Sequence, residues 1–595
     1  MILSDLQAAG IAIADETILS KPGSYRLLDQ QLEGRLLNPK AAWVTELQGT
    51  ADKPNVIVCV DTHFPFSLPQ VYLPAGSQYA AHPHVNKRGK LCLLQGSPGI
   101  AHRDPRSVIE WALKRAAVTL QSTDEAATRE EFIDEFSAYW NEIVDGKKSA
   151  ITLFTPGPRS RKLFYWENNE LLILADCRKK LKQWLTNSGW QRDNFRFREA
   201  VFLWLPEPLT ANEFPSQGIE LKNLLNQYPS DLKLLSDAVP RNEPGQLPVV
   251  VGFNTNNGIA LATVILDEPL INLGPSKSKL LVEEGFSKRS HLPPKMLSSR
   301  YLSNAKLKRI KTNRFDMEWQ DYRTGNNESQ TLRNKQVCIV GCGALGSHLA
   351  YALARAGVGH FVLIDFDKLS SDNTRRHLLG MEYLAQYKVQ AVKTFIQKQL
   401  PDVCITTHPD SWEDLFKQDP SPFIGSDVIV CTTGDWACEE ALNLVKTTSS
   451  SMPPTIFSCI ETFGMSGQAL AVIGGGGCLS CGTNPNGRSI YETTVWQADT
   501  EANRQAGACG DQFLPFGFTE VGPVSDLVAR LTIDVLSGRV KNSELRGWIG
   551  DKDRIEEAGG QISGALTALL RGEIRGNSSF AVEFKKNVAC NLCRD

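Results

Sequence analysis

Ten residues constrain this chain more than any others. Val337-Cys338-Ile339-Val340 is an apolar run, and Gly341-Cys342-Gly343-Ala344-Leu345-Gly346 completes a G-x-G-x-x-G pattern before a helix-like segment. The run suits a buried strand. The glycines permit a tight turn and let backbone come close to phosphate, and the following helix offers unpaired N–H groups. Taken alone, this arrangement reads as a dinucleotide-binding unit used for hydride transfer. Asp365, at the end of the next strand candidate Phe361–Ile364, suits a ribose.

The residues that follow weaken the hydride reading. Asp367, Asn373, Arg376 and Lys388 come in order after Asp365, and Thr433-Gly434-Asp435 follows the strand candidate Asp427–Cys431. A ribose needs one acid and none of the cations. A triphosphate attacked by a carboxylate needs cations for the charge that builds on pyrophosphate, and an acid for Mg²⁺.

This ordered set resembles the adenylation domain of the ubiquitin-activating, ThiF and MoeB family. The resemblance covers roughly Arg314 to the C-terminus and implies a Rossmann-like, ATP-binding fold. It implies that Gly341, Gly343 and Gly346 form the phosphate loop and that Asp365 binds ribose in the D-x-D pair with Asp367. By the same resemblance Asn373, Arg376 and Lys388 contact phosphates, and Asp435 holds Mg²⁺. Members of the family usually dimerise and lend an arginine to the neighbouring site. Arg314 and Arg323 both lie in the right region, so a homodimer is expected and the choice between them stays open.

Two C-x-x-C pairs, Cys478/Cys481 and Cys590/Cys593, read as a structural Zn²⁺ site, because four thiolates close a tetrahedron and leave no open position. Between them lies Gly507-Ala508-Cys509-Gly510, a stretch of small, polar residues. A thiol there can reach an acyl-adenylate, and in the ubiquitin-activating family a catalytic cysteine occupies this crossover. Cys509 is therefore the candidate for a first thioester. Cys338 and Cys431, in strands, and Cys342, in the glycine loop, read as packing residues.

Near the other end, Phe64-Pro65-Phe66-Ser67-Leu68-Pro69 precedes His82-Pro83-His84-Val85 and then Gly89-Lys90-Leu91-Cys92. By residue type alone, Cys92 near two histidines is either a Cys–His nucleophile or an ordinary thiol. The segment is similar to the ubiquitin-conjugating core, which has a proline-rich stretch, H-P-N, and an acceptor cysteine eight residues after the Asn. His84 stands where that Asn would be, and His84 to Cys92 keeps the spacing. The family's Asn supports the loop and the oxyanion, and a histidine can also donate a hydrogen bond. Cys92 is the candidate for a second thioester, and His82 reads as a loop residue.

The chain has 595 residues, too long for one core, and three segments differ in character. Residues 1–150 read as an α+β ubiquitin-conjugating-like domain, 151–312 as an α/β linker domain of unassigned function, and 313–595 as the adenylation domain, an α/β fold overall. Helices are expected over Ser107–Leu120 and Arg129–Ile143, where Phe132, Phe136, Tyr139 and Trp140 recur at core spacing. In the middle segment strands are expected at Leu171–Ala175, Ala200–Leu205 and Val249–Phe253, and the basic run Lys306–Arg314 reads as a solvated face or linker.

Balanced charge, 64 basic against 66 acidic residues, gives no support for nucleic acid or a membrane surface as partner. The N-terminus does not read as a signal peptide and no apolar run is of membrane length, so the 14 cysteines read as free, metal-binding or catalytic thiols rather than disulfides, and the cytoplasm is expected.

Activating and conjugating parts on one chain resemble the fused enzymes of bacterial anti-phage operons of the CBASS type. The resemblance implies ATP-dependent activation of a protein C-terminal carboxylate, that of a cyclic-oligonucleotide synthase. A thioester on Cys509 would follow, then transfer to Cys92 and ligation to an amine such as lysine. Two alternatives remain: a sulfur-carrier activator whose N-terminal module is not catalytic, and a scaffold whose nucleotide domain only binds.

Overall fold

The computed structural model describes residues 2–28, 39–50, 52–93, 104–121, 125–190, 195–239, 246–267, 298–299, 301–303, 305–316, 318–320, 329–483, 489, 491–496, 504–505, 512–571 and 574–593. Cys509 and Arg323 lie outside the described residues. The chain divides into two compact units, one of residues 1–181 and 196–316, the other of residues 182–195 and 317–595.

The first unit begins with helix α1 (Ile2–Leu19) and an antiparallel meander of β1 (Tyr25–Arg26), β2 (Pro39–Glu46), β3 (Asn55–Asp61) and β4 (Gln70–Tyr72). Pairing of Trp43 with Val58 and of Ala41 with Val60 puts Ala41, Trp43, Val58 and Val60 into one buried layer. Helix α2 (Pro105–Thr119) covers it. Asp104 caps its first turn by accepting the Ser107 N–H, and Pro105 sits where no N–H is needed. Val108, Ile109, Ala112, Leu113, Ala116 and Ala117 line its buried stripe at helical spacing.

The single helix expected over Arg129–Ile143 is two: α3 (Glu125–Asp134) and α4 (Phe136–Glu142), broken at Glu135, where φ is −97° and ψ 16°. The break separates two tasks. Phe136 and Trp140 enter the core of the next layer, and the Trp140 indole N–H donates to the Ile310 carbonyl at 2.9 Å. The carboxylate of Glu135 faces the loop around His84.

Among the described residues, the middle segment closes seven strands into a barrel rather than forming layered α/β. They are β5 (Ser149–Thr152), β6 (Arg161–Glu167), β7 (Leu171–Ala175), β8 (Arg198–Trp204), β9 (Leu247–Thr255), β10 (Gly258–Leu266) and β11 (Leu307–Arg314), in the order β10-β11-β5-β7-β6-β8-β9. Tyr165, Phe154, Phe202 and Trp204 belong to one buried cluster of it. Helices α5 (Gly218–Leu225) and α6 (Pro229–Ala238) bury Leu221, Leu225 and Leu235 in a second. The basic run is therefore a barrel strand. Leu307 is buried in the cluster with α5 and α6 and Ile310 in the cluster with Phe202 and Trp204, while the exposed Lys308 pairs with Asp267 at 2.7 Å.

The second unit is built on a sheet of eight strands among the described residues. Five are parallel: β12 (Gln336–Val340), β13 (His360–Ile364), β14 (Cys404–His408), β15 (Val428–Cys431) and β16 (Thr455–Ile460). Three continue it antiparallel: β17 (Ser466–Val472), β18 (Glu544–Ile549) and β19 (Ser578–Glu583). The order is β14-β13-β12-β15-β16-β17-β18-β19. Helices α7 (Ala344–Arg355), α8 (Lys388–Gln399), α9 (Trp412–Gln418), α10 (Trp436–Thr448) and α11 (Phe518–Leu536) accompany it. Strands such as Val428–Cys431, buried at every position, carry the unbroken apolar pattern of a sheet covered on both faces.

Candidate active site

The glycine loop lies at the carboxyl end of β12, the central partner of β13 and β15. Gly341 has φ of +90°, which glycine alone adopts without strain. A Cβ on Gly346 would stand 2.0 Å from the Gly341 carbonyl oxygen and 2.5 Å from Thr432 Oγ1, so α7 can begin this close to the turn only without a side chain there. Asp365, closing β13, accepts the Cys342 N–H at 2.6 Å through one oxygen and the Asp367 N–H at 2.8 Å through the other. Burial pushes its carboxyl above the ordinary range, while Lys388 and these donors pull it back.

The neighbouring side chains form a linked set. Lys388, a tenth exposed, pairs with Asp367 at 2.7 Å. Asn373 uses its amide oxygen to accept from the N–H and hydroxyl of Ser370, and its own N–H₂ takes no part in that turn. The Arg376 guanidinium stacks 5.2 Å from the Phe516 ring and donates to the Leu514 carbonyl at 3.4 Å. Asp435 caps α10 by accepting the Cys438 N–H at 2.8 Å and stays exposed, beyond the end of β15. Gly341, Asp365 and Asp435 thus occupy the carboxyl ends of three adjacent strands, the usual place for a ligand in an open α/β sheet.

Three residues missed in the sequence complete this site. The Leu379 N–H donates to His377 Nδ1 at 3.0 Å, so Nε2 carries the proton and donates to the Cys342 carbonyl at 2.8 Å. Burial lowers this histidine to about 4, which keeps it a neutral brace for the loop. Thr432 donates its hydroxyl to the Gly341 carbonyl at 2.7 Å. Glu439, in the first turn of α10, is pushed up by burial to about 8. No spacing rule marks any of the three: His377 and Thr432 act on glycine-loop backbone brought near by the fold, and Glu439 is distinguished only by its burial.

The two C-x-x-C pairs meet. Cys478 Sγ lies 3.9 Å from Cys481 and 3.7 Å from Cys590, Cys481 lies 3.1 Å from Cys593, and all four sulfurs fall within 4.8 Å of one another. A tetrahedral zinc with Zn–S bonds of about 2.3 Å needs sulfurs about 3.8 Å apart. The donor set and its spacing fit Zn²⁺.

In the first unit, Cys92 is exposed. It sits on a small hairpin: Val85 pairs with Leu91, the Asn86 N–H donates to the Lys90 carbonyl, and the Cys92 N–H donates to the His84 carbonyl at 2.7 Å. This bond brings residues 84 and 92 together across the hairpin. His84 has a left-handed φ of +62°. Its N–H donates to the Tyr139 hydroxyl at 2.7 Å, its Nδ1 is 3.1 Å from Glu135, and its Nε2 is 3.7 Å from Glu131. The hydrogen bond to Glu135 raises the His84 pKa against the opposing effect of burial, and lowers that of Glu135. His82 bonds the Pro83 carbonyl through Nδ1, as a loop residue does. A cleft of about 230 Å³ beside this loop is lined by His82, Lys87, Phe132, Tyr139, Glu142 and Asn212.

Arg314 ends β11. Its guanidinium grips the buried Asp316 at 2.8 and 2.9 Å and donates to the Ile259 carbonyl, which argues against a role across a dimer.

Comparison with known proteins gives two separate family matches. Residues 316–549 match the ThiF family, and residues 38–148 match prokaryotic E2 family B. The chain is a fusion of a ThiF-family domain with an E2-type domain. It is 26% identical over 341 residues to the ATP-dependent ubiquitin transferase-like protein Cap2 of Pseudomonas aeruginosa, covering 56% of this chain and 59% of that one. The Cap2 of Enterobacter hormaechei is 24% identical, covering 43% of this chain and 45% of that one. The match thus spans about half the length of these relatives. The ubiquitin-like modifier-activating enzyme 5 of Drosophila grimshawi is 38% identical over 79 residues, 13% of this chain and 20% of that one. A crystal structure of Escherichia coli MccB aligns with 45% of this chain and 67% of its own at 16% identity and a TM-score of 0.33, too slight a likeness to bear on substrate. No described helix is long and apolar enough to cross a membrane.

Proposed function

We propose that this chain activates the C-terminal carboxylate of a protein with ATP, relays it through thioesters on Cys509 and then Cys92, and ligates it to an amine such as lysine. The observation that carries this reading is the exposed Cys92, held opposite His84, on the same chain as a ThiF-family domain with acids at adjacent strand ends. A hydride-transferring domain would have no use for such a thiol.

In this reading the loop of Gly341, Gly343 and Gly346 receives the triphosphate, and Asp365, linked to Asp367, faces the ribose. Asn373, Arg376 and Lys388 offset the charge that builds as the carboxylate oxygen bonds to the α-phosphorus and pyrophosphate leaves. Asp435 would hold Mg²⁺, which would supply positive charge against the phosphates. The Cys509 thiolate then takes the acyl group, AMP departs, and the Cys92 thiolate accepts it by exchange. The amine finally displaces Cys92 and leaves a stable amide. Cys478, Cys481, Cys590 and Cys593 would hold Zn²⁺ as a structural cross-link, tying the C-terminus to the loop after β17.

The relatives named ATP-dependent ubiquitin transferase-like protein Cap2 support the conjugating reading. We extend it to an anti-phage setting, with a cyclic-oligonucleotide synthase as the acylated protein, a lysine-bearing acceptor and a homodimer as the working form. The test is mass spectrometry of the full-length chain incubated with ATP, Mg²⁺ and candidate proteins encoded beside it. An adduct on Cys92 that added thiol removes, and a product that thiol does not remove, are expected. Tight, metal-independent NAD binding with no adduct would overturn the reading.

A further inference from the structure

The relay leaves one proton without a destination. When a neutral amine attacks the Cys92 thioester, the nitrogen becomes cationic as the C–S bond breaks, and a proton must leave it for the amide to persist. We infer that His84 is the base that receives this proton, and that Glu135 and Glu131, carried by the helical pair on the middle barrel, hold it in place. The inference rests on Cys92 as the final acyl carrier.

The geometry distinguishes the two ring nitrogens. Nδ1 is within hydrogen-bond distance of Glu135 at 3.1 Å, so its proton stays there. Nε2, 3.7 Å from Glu131, is too far for a hydrogen bond but close enough for Glu131 to stabilise a charge that arrives. The imidazole is about one-fifth exposed. The attacking nitrogen gives its proton to Nε2, the electron pair of the broken C–S bond stays on Cys92 as thiolate, and the imidazolium lies between two carboxylates. No other reactant is required.

The loop is built to keep this orientation. The left-handed backbone at His84 turns its N–H to the Tyr139 hydroxyl, and its carbonyl accepts from Cys92. The Tyr139 hydroxyl donates in turn to Glu135 at 3.3 Å. The barrel pins the helix bearing the acids: Asn256, at the turn between β9 and β10, donates to Asp134 and Glu130, while Trp140 anchors α4 to β11. The middle domain would thereby act as the scaffold of the conjugating site.

The charged groups around His84 are accounted for. Glu131 and Glu135 face it from the helical pair. Lys87, on its own loop, has its ammonium on the Glu142 carbonyl, and His82 turns to Pro83.

The sign of the pH response separates a base from an oxyanion donor. A base works when neutral, so discharge should rise as pH passes through the raised His84 pKa. A donor works as imidazolium, so discharge should fall there. The experiment uses the full-length chain with Cys509→Ala, Cys177→Ser and Cys404→Ser, loaded at Cys92 by thiol exchange with a synthetic glycine-terminated peptide thioester. Discharge to free lysine is followed about two units either side of neutrality. Dividing each rate by that of His84→Asn cancels the titration of lysine itself.

We expect the ratio to rise with pH to a plateau of about 10²-fold. In Glu135→Gln its midpoint should move to lower pH, and in Glu135→Asp it should stay near wild type. A ratio that falls with pH, or a midpoint unmoved in Glu135→Gln, overturns the inference. Because loading is chemical, ATP–pyrophosphate exchange measured separately on the wild-type chain tests the activation reading on its own.

Discussion

At the carboxyl ends of β12, β13 and β15, three stretches far apart in sequence each contribute one element: a glycine turn at Gly341, an acid at Asp365, an acid at Asp435. Around Cys92 the side chains proposed to react come from one short hairpin, and their supports come from α3, α4 and the break between them. The first region is made by sheet topology, and its side chains mostly brace backbone: His377 and Thr432 bond carbonyls of the glycine loop. The second is made by a local turn, and its side chains bond each other. A site of the first kind tolerates little change in packing, since a Cβ on Gly346 already overlaps the loop. A site of the second kind is tuned by single charges, because a hairpin at the surface keeps its shape when one carboxylate becomes an amide.

The strongest test of that contrast is Cys92→Ala. Conjugation should vanish, while a thiol-sensitive adduct elsewhere on the chain, on Cys509 in the proposed order, accumulates on a gel run without reductant. A stable conjugate at wild-type rate would make the N-terminal domain a recognition module.

Asp435→Asn comes next. Asparagine caps a helix as well as aspartate, so α10 should keep its start while the charge for Mg²⁺ is lost. ATP–pyrophosphate exchange should fall about 10²-fold with little change in melting temperature. An equal loss of stability and exchange would mean that Asp435 serves only the helix.

Removing zinc should act on structure alone. Cys478→Ser with Cys590→Ser, or prolonged chelation, should lower the stability of the second unit by more than about 3 kcal/mol. Metal analysis should give about one zinc per chain before treatment. A zinc-free chain of unchanged stability would refute the site, and loading of Cys92 by a synthetic thioester should survive either treatment.

The smallest effect concerns the His84–Glu135 pair. His84 is raised, so its contribution to stability is complete below its unfolded value of 6.5 and is lost as pH rises through the folded one. Glu135 is lowered, so its contribution is present above 4.5 and is lost as pH falls through the folded value. The pair therefore stabilises most between those limits. Glu135→Gln should cost less than about 1 kcal/mol there, because the carboxylate is partly exposed, and less still in more alkaline solution, where only the hydrogen bonds from neutral His84 and from Tyr139 remain. Chemical denaturation at slightly acid and at alkaline pH measures both arms.

Much of this was legible in order along the chain. The strand–glycine–helix unit at 337–346, the acids at 365 and 435, the cysteine pairs and the spacing from His84 to Cys92 are local patterns with local causes. So are most strands, since the alternating or continuous apolar runs of Leu171–Ala175 and Val337–Val340 answer to burial on one face or two. The break at Glu135 was not legible. Residues 129–143 keep helical spacing throughout, and the chain turns there because the barrel takes Phe136 and Trp140 while His84 takes Glu135.

The sequence by itself determined which chemistry the chain can offer: thiols, acids and a phosphate loop, each set by residue type at short range. Tertiary structure alone decided which of them meet. It closed the middle segment into a barrel, because strands such as β5 and β11, some 160 residues apart, are parallel neighbours that no local pattern announces. It committed Arg314 to Asp316, brought Cys478 to Cys590 across 112 residues, and set two glutamates against the one histidine opposite Cys92. The physical reason is the range of the forces. Turn strain and periodic burial act within a few residues, whereas charge pairing and metal-ligand geometry are defined only once the backbone has been brought together.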